Sequence, residues 1–213
     1  MAHRRPPLVR ALALNTTVLA VEIISGIGAN SFSLIMDGVH NLSDEIALVF
    51  LLLAYTLRAG LSGNLLRSAN FFNSIGLLTI SGFLIWRVVE RVFNPVDVLG
   101  VVPIVAGLIG AACNWGVARV LRESSREDPA IRLAYVHNLG DALVSLAPVA
   151  AGVAIIFSGN SLFDPLVALL IAAIIVLTTV RTIFDSHKEL LWPENVSCGH
   201  GDSGIVKSKQ LIG

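Results

Sequence analysis

Six long apolar runs, at about residues 8–29, 32–57, 69–93, 98–120, 130–157 and 161–184, constrain this chain more than any other feature. As a helix, an apolar stretch of about 18 residues or more crosses the ~30 Å hydrocarbon layer, where each backbone N–H and C=O has to be satisfied within its own segment. The expected fold is all-α: a polytopic membrane protein built as a six-transmembrane-helix bundle. Residues 1–7 are then a short N-terminal segment, 8–184 the transmembrane domain and 185–213 a short tail. In the tail Ser, Gly, Lys, Asp and Asn replace the aliphatic runs, and a polar stretch of that length is too short for a folded core.

Composition agrees. The chain is 54% hydrophobic and 14% charged, against about 25% charged in an ordinary soluble domain. Fifteen Lys+Arg balance fifteen Asp+Glu, so no global field draws nucleic acid and any electrostatic function is local. Two cysteines, Cys113 in an apolar run and Cys198 in the tail, are too few for a disulfide framework. No phosphate-cradling glycine loop and no serine or cysteine nucleophile set is visible, and no prosthetic group is expected. Arg4 and Arg5 before an apolar run imitate a secretory signal, but the run is longer than a signal core and contains Asn15 and Glu22, so it reads as a retained first helix.

The breaks are short. Asp128-Pro129 and Asp164-Pro165 read as helix starts in which the carboxylate caps free N–H groups of its own helix and proline supplies the first helical φ. With six spans both termini lie on one side, and thirteen of the fifteen Lys and Arg fall there, leaving Arg87 and Arg91 for the other face. Positive charge collects in cytoplasmic loops, so both termini are expected in the cytoplasm, with a bacterial inner membrane as the setting.

Inside the second run the chain reads Val39-His40-Asn41-Leu42-Ser43-Asp44; inside the fifth it reads Val136-His137-Asn138-Leu139-Gly140-Asp141. Ionisable residues in a bilayer cost several kcal/mol or more (~2.5–3.5 on insertion scales) unless paired, hydrated or bound. Residues i and i+4 share a helix face, so His40 stands over Asp44 and His137 over Asp141. One such pair reads as a histidine hydrogen-bonded to a neighbouring helix; two matched pairs on separate helices read as metal or proton chemistry. If the two helices face each other, the donors make an N2O2 set suited to Zn²⁺. The absence of thiolate speaks against Cu(I), and the imidazoles speak against Mg²⁺ and Ca²⁺.

These residues, with the run Ser31-Phe32-Ser33-Leu34-Ile35-Met36-Asp37-Gly38-Val39-His40 leading into the first motif, resemble the cation diffusion facilitators, a family of divalent-metal/proton antiporters. Glu22, Asn73, Asn114 and Asp164-Pro165 look family-like as well, and the resemblance covers about residues 8–190. It implies that His40, Asp44, His137 and Asp141 are the transport site. It further implies zinc as the cargo, with Cd²⁺, Co²⁺ or Ni²⁺ as other candidates, protons as the counter-ion, and a homodimer in the bilayer. Two departures stand out: most members continue into a cytoplasmic ferredoxin-like domain, where this chain has only its short tail, and the loop Arg122–Arg132 lacks the histidine-rich stretch of many zinc members.

Metal and protons compete for the same lone pairs, so a site that loses protons to a neutral cytoplasm takes the ion, and one protonated from an acidic outside releases it. Two other readings of the same residues are a non-transporting, metal-sensing membrane subunit and an intramembrane metalloenzyme. Asp37 reads as an entry-side ligand, an acceptor for an imidazole N–H, or a helix-start residue. Glu22 reads as a proton relay or as a carboxylate hydrogen-bonded to Asn73 or Asn114. Glu45 points about 100° away from Asp44 and is not a ligand. Cys198 and His200, with His187, read as a loose end or a metal-docking tail. Gly38, Gly140 and Gly152 are places where helices can approach closely. One geometric condition remains: His40 and His137 each lie about eight residues, roughly 12 Å, from opposite membrane faces, so the two helices meet at their motifs only if they are offset along the membrane normal.

Overall fold

The structure, a computed structural model, describes residues 5–56 and 63–185. These form seven α-helices, α1 (Arg5–Ala29), α2 (Phe32–Thr56), α3 (Gly63–Phe93), α4 (Val101–Leu121), α5 (Pro129–Val144), α6 (Leu146–Ser158) and α7 (Phe163–Asp185), with a 3-10 turn at Ser124–Arg126. The expected tail with Cys198, His200 and His187 lies outside the described residues.

Among the described residues five segments are long and apolar enough to cross a membrane: Pro6–Ala29, Phe71–Phe93, Val101–Leu121, Ala130–Ser158 and Phe163–Arg181. Helix α2 is as long as α1 but carries Asp37, Asp44 and Glu45 in its body, and those acids set it apart from the rest. Together the six runs make the all-α polytopic bundle.

The fifth run is not one helix. It breaks at Ser145 between α5 and α6, and the cause is Pro148. Proline has no N–H for the carbonyl one turn back, and its ring clashes with that carbonyl, here Val144. Chain ends elsewhere use backbone chirality: Gly159, at φ 67°, closes α6, and Asn30, at φ 58°, turns α1 into α2.

Helix α2 is the hub. It packs on α1 along one side and on α3 and α7 along the other, while α4 packs on α1, α5 and α6. Two apolar clusters flank it. Leu48 and Leu51 of α2 join Leu8 and Ala11 of α1, Val117 and Leu121 of α4, and Ala130 and Ile131 of α5. Met36 and Val39 join Leu77 and Leu84 of α3 and Ile171, Ala172 and Ile175 of α7. The first cluster meets the offset condition. The start of α5 is level with Leu48 and Leu51, while α2 runs on to Thr56, so α5 begins one to two turns inside the end of α2 and its motif arrives opposite that of α2.

Asp128 caps its own helix as expected, accepting from Ala130 N and Ile131 N at 2.9 and 3.3 Å. Asp164 does not. Fully buried, it reaches across to the start of α2 and accepts from Ser31 Oγ at 2.6 Å, Phe32 N at 2.6 Å, Ser33 Oγ at 2.5 Å and Ser33 N at 3.3 Å. The free N–H groups it satisfies belong to another helix, so one carboxylate ties the start of α7 to the start of α2. Gly38 and Gly152 mark close helix approaches: a Cβ on Gly38 would stand 2.8 Å from Ile23 Cδ1, and one on Gly152 would meet the Gly100 carbonyl. Gly140 faces open space and makes no such contact.

Candidate metal site

The periodicity of α2 and α5 places each imidazole one turn from a carboxylate on its own helix, and the offset brings the two pairs together. His40, Asp44, His137 and Asp141 each offer a ligand atom within 4.8 Å of the others. Pairing is crossed between helices. His40 Nε2 lies 3.0 Å from Asp141 Oδ1 and His137 Nε2 lies 2.8 Å from Asp44 Oδ1. The same-helix contacts, His40 Nε2 to Asp44 Oδ2 and His137 Nε2 to Asp141 Oδ2, are longer, at 3.9 and 3.8 Å. The rings stand edge to face with centroids 5.6 Å apart.

Ligands held tetrahedrally at ~2.0–2.1 Å from Zn²⁺ are separated by about 3.3–3.4 Å. The short and long nitrogen–oxygen contacts here fall on either side of that edge length, so shifts of about half an ångström convert the crossed hydrogen bonds into coordination. Asp44 Oδ2 and Asp141 Oδ2 are buried and have no hydrogen-bond partner, which leaves two carboxylate lone-pair sites for a cation.

A cavity of about 270 Å³ opens onto the quartet. On α2 its lining runs from His40 to Leu51, and on α5 from Asn138 back to Ala130. It therefore leads toward the face where α1 begins and α7 ends. His137 stands in its wall with a half-exposed side chain, whereas the side chain of His40 is 13% exposed. Asn73 of α3 closes the cavity on one flank, donating to Ser43 Oγ at 2.9 Å and to the Ser43 carbonyl at 3.3 Å. Behind that bond an apolar groove between α2 and α3 shares Ser43, Asn73 and Leu77 with the cavity.

The lesser candidates fall elsewhere. Asp37 is outside the four-donor group and does not reach an imidazole: His40 Nδ1 has no partner, and neither has Asp37 Oδ2. The helix-start role belongs to Asp164. Glu22 is held by Asn41, whose amide donates to its Oε2 at 2.6 Å. Asn73 is committed to Ser43, and Asn114 donates to Asn41 and Ser145. Glu45 points away from the site, accepting from Asn15 and Thr16 of α1 at 2.9 and 2.5 Å. The sequence motifs locate the quartet, and Asn41 stands at a matched position of the two hexapeptides, but Ser145 carries no signal beyond polarity in an apolar run.

The profile of the cation efflux transmembrane domain matches residues 8–191. Over 193 residues the chain is 30% identical to the zinc transporter ZitB of Escherichia coli strain K12, covering 86% of this chain and 62% of that protein. It is 30% identical over 194 residues to the cadmium, cobalt and zinc/H(+)-K(+) antiporter of Bacillus subtilis strain 168, covering 85% and 62%. The metal cation efflux system protein CzcD of Cupriavidus metallidurans is 26% identical over 170 residues, covering 76% and 54%. The chain thus spans about three fifths of the length of the curated relatives it matches.

Proposed function

This chain belongs to the cation efflux family, whose relatives are transporters rather than enzymes, and on that premise we propose that it moves a divalent cation, zinc foremost, out of the cytoplasm in exchange for protons. The coordinating set is His40, Asp44, His137 and Asp141. The observation that carries this reading is the convergence of these four donors from two helices within 4.8 Å at the closed end of a cavity. Imidazole nitrogens and carboxylate oxygens in equal number suit Zn²⁺ and tolerate Cd²⁺, Co²⁺ and Ni²⁺, and relatives named for zinc, cadmium and cobalt support the same cargo.

The cavity supplies the approach. Among the described residues Arg10, Arg119, Arg122, Arg126, Arg132 and Arg181 belong to the helix ends at the face it opens on, and Arg87 and Arg91 to the opposite end, so the positive-inside rule supports a cytoplasmic reading of that face and of both termini. The relatives are bacterial, which supports an inner membrane as the setting, and a homodimer is the proposed assembly. The cation enters from the cytoplasm, displaces the protons on the imidazoles and replaces the crossed hydrogen bonds. Alternating access then requires the cavity side to close and the opposite side, sealed here by Asp37, Asn41 and Ser145, to open.

Reconstituted protein in vesicles with an imposed pH gradient tests the proposal. Zn²⁺ flux accompanied by counterflow of protons is expected, with His137→Ala and Asp44→Ala each abolishing both. Zinc flux that survives either substitution refutes the site. Metal binding that depends on the quartet without any flux refutes transport and favours the sensing subunit.

A further inference from the structure

Helix α4 presents one stripe of side chains to the surface of the bundle. At about 100° per residue, Val105, Leu108, Ala112 and Trp115 fall on one side of the helix, and the same arc, about 100° wide, runs on into Arg119 and Arg122. Val105, Leu108 and Trp115 are half exposed, and Ala112, Arg119 and Arg122 are exposed as well. Ala106, Asn114, Val117 and Leu121, on the other side, are buried where α4 packs on α1, α5 and α6. The stripe therefore faces the bilayer.

Its chemistry changes in the order in which a bilayer changes. The rise from Val105 to Trp115 is about 15 Å, the depth of one leaflet's hydrocarbon, and Arg119 and Arg122 stand about 6 and 10 Å further on, at headgroup level. The indole between them is a side chain that settles at the boundary. Arg119 Cζ lies 5.7 Å from the centre of the Trp115 ring, a contact that steadies the guanidinium without using its N–H donors. Among the described residues neither the Arg119 nor the Arg122 side chain has an ion pair or a hydrogen bond. Other arginines are committed: Arg87 pairs with Glu90 at 2.6 Å, and Arg132 donates to the carbonyls of Ser125 and Arg126. Glu123 shares the arc one turn past Arg119, and Arg126 and Glu127 are exposed in the following turn. Neither acid pairs with Arg119 or Arg122 among the described residues.

We propose that this stripe is a binding site for one anionic phospholipid, its phosphate held by Arg119 and Arg122, its ester region against Trp115 and an acyl chain along Ala112, Leu108 and Val105. Two free guanidiniums supply charge-assisted, forked donors for phosphate oxygens. A lipid with net negative charge is favoured over a zwitterionic one, whose own cation offsets the attraction. Glu123 opposes the binding and limits its strength. The site needs only a membrane-spanning α4, so it does not depend on the transport reading.

The full chain carrying Trp86→Phe and Trp192→Phe, in which Trp115 is the one tryptophan left, tests this in vesicles of equal phosphatidylglycerol and phosphatidylcholine. Bromine placed on the chains of one lipid or the other quenches the indole it touches. Quenching by brominated phosphatidylglycerol is expected to be at least about twofold the stronger. R119Q/R122Q is expected to equalise the two, and each single variant to remove about half of the difference. Glu123→Gln is expected to widen it, while Arg181→Gln, which removes an exposed arginine from α7 at the same face, leaves it unchanged. Equal quenching in the parent, or a preference that persists in folded, monodisperse R119Q/R122Q, overturns the site. Absence of quenching by either lipid also overturns it and shows a second copy or another protein covering the stripe.

Discussion

Removing the Asp164 carboxylate is expected to loosen the bundle from the end opposite the cavity. Asp164 is fully buried and accepts from two serine hydroxyls and two backbone N–H groups at the start of α2. In Asp164→Ala the Ser31 and Ser33 hydroxyls, 3.2 Å apart, can turn to each other, so the main loss is at Phe32 N and the helix start. A lost cap costs about 0.5–2 kcal/mol and a buried donor left without a partner about 1–3 kcal/mol, for a total of roughly 2–4 kcal/mol. At about 2–4 °C per kcal/mol for a domain of this size, the melting midpoint falls by on the order of 10 °C. Asp164→Asn keeps one carbonyl acceptor and is expected to lose about half as much. Size-exclusion recovery of detergent-solubilised protein after heating measures this, with Thr17→Ala, an exposed hydroxyl bonded only to Ala13 O, as the neutral reference. If Asp164→Ala melts no lower than Thr17→Ala, the cross-helix cap contributes nothing and the reasoning is wrong.

Other outcomes follow from the same structure. A cysteine at Ala47, which lines the cavity, is expected to react with a membrane-impermeant thiol reagent from the N-terminal side in a background with both Cys113 and Cys198 changed to alanine and to be protected by Zn²⁺; a cysteine at buried Met36 is expected to stay unreacted, and equal labelling refutes the assigned opening. Acidification is expected to weaken cation affinity by up to about 100-fold per pH unit where both imidazoles carry protons; an affinity flat across the imidazole range in a binding titration removes His40 and His137 from the site. Pro148→Ala is expected to restore a continuous helix through Ser145, raising or holding thermal stability while vesicle flux falls several-fold. Gly38→Val is expected to cost about 1–3 kcal/mol through overpacking against Ile23, read as a lower melting midpoint.

The helices and the quartet were legible because both rest on local periodicity. Long apolar runs state their own length, and an i, i+4 pair states its own face; two copies of His-x-x-x-Asp needed only a neighbour to complete them. What the chain did not display depends on partners far away in sequence. Asp164-Pro165 has the local form of a self-cap, yet its acceptor oxygens go to residues 131–133 positions distant, which no window of sequence contains. The sequence pairs Glu22 with Asn73 or Asn114, but Asn41, on α2 packed against α1, is the amide that reaches it. The break at Ser145 did have a signal: Pro148 stands in an apolar run with its missing N–H aimed one turn back. The offset between α2 and α5 had none, because it is set by where Ala130 and Ile131 find apolar company.

That proline has a mechanical consequence. A rigid rod of the length Pro129–Ser158 would transmit any tilt at one end to the other, sweeping α6 through lipid whenever the ligand-bearing half moved. Divided at Ser145, the rod becomes a short lever and a stator. Helix α6 keeps its seat against α4 and α7, while α5, which carries His137 and Asp141 and rests on α4, has its own joint. The hinge lies one residue past the turn that holds the last ligand, so a small swing there displaces the donors while the far end of the segment stays still.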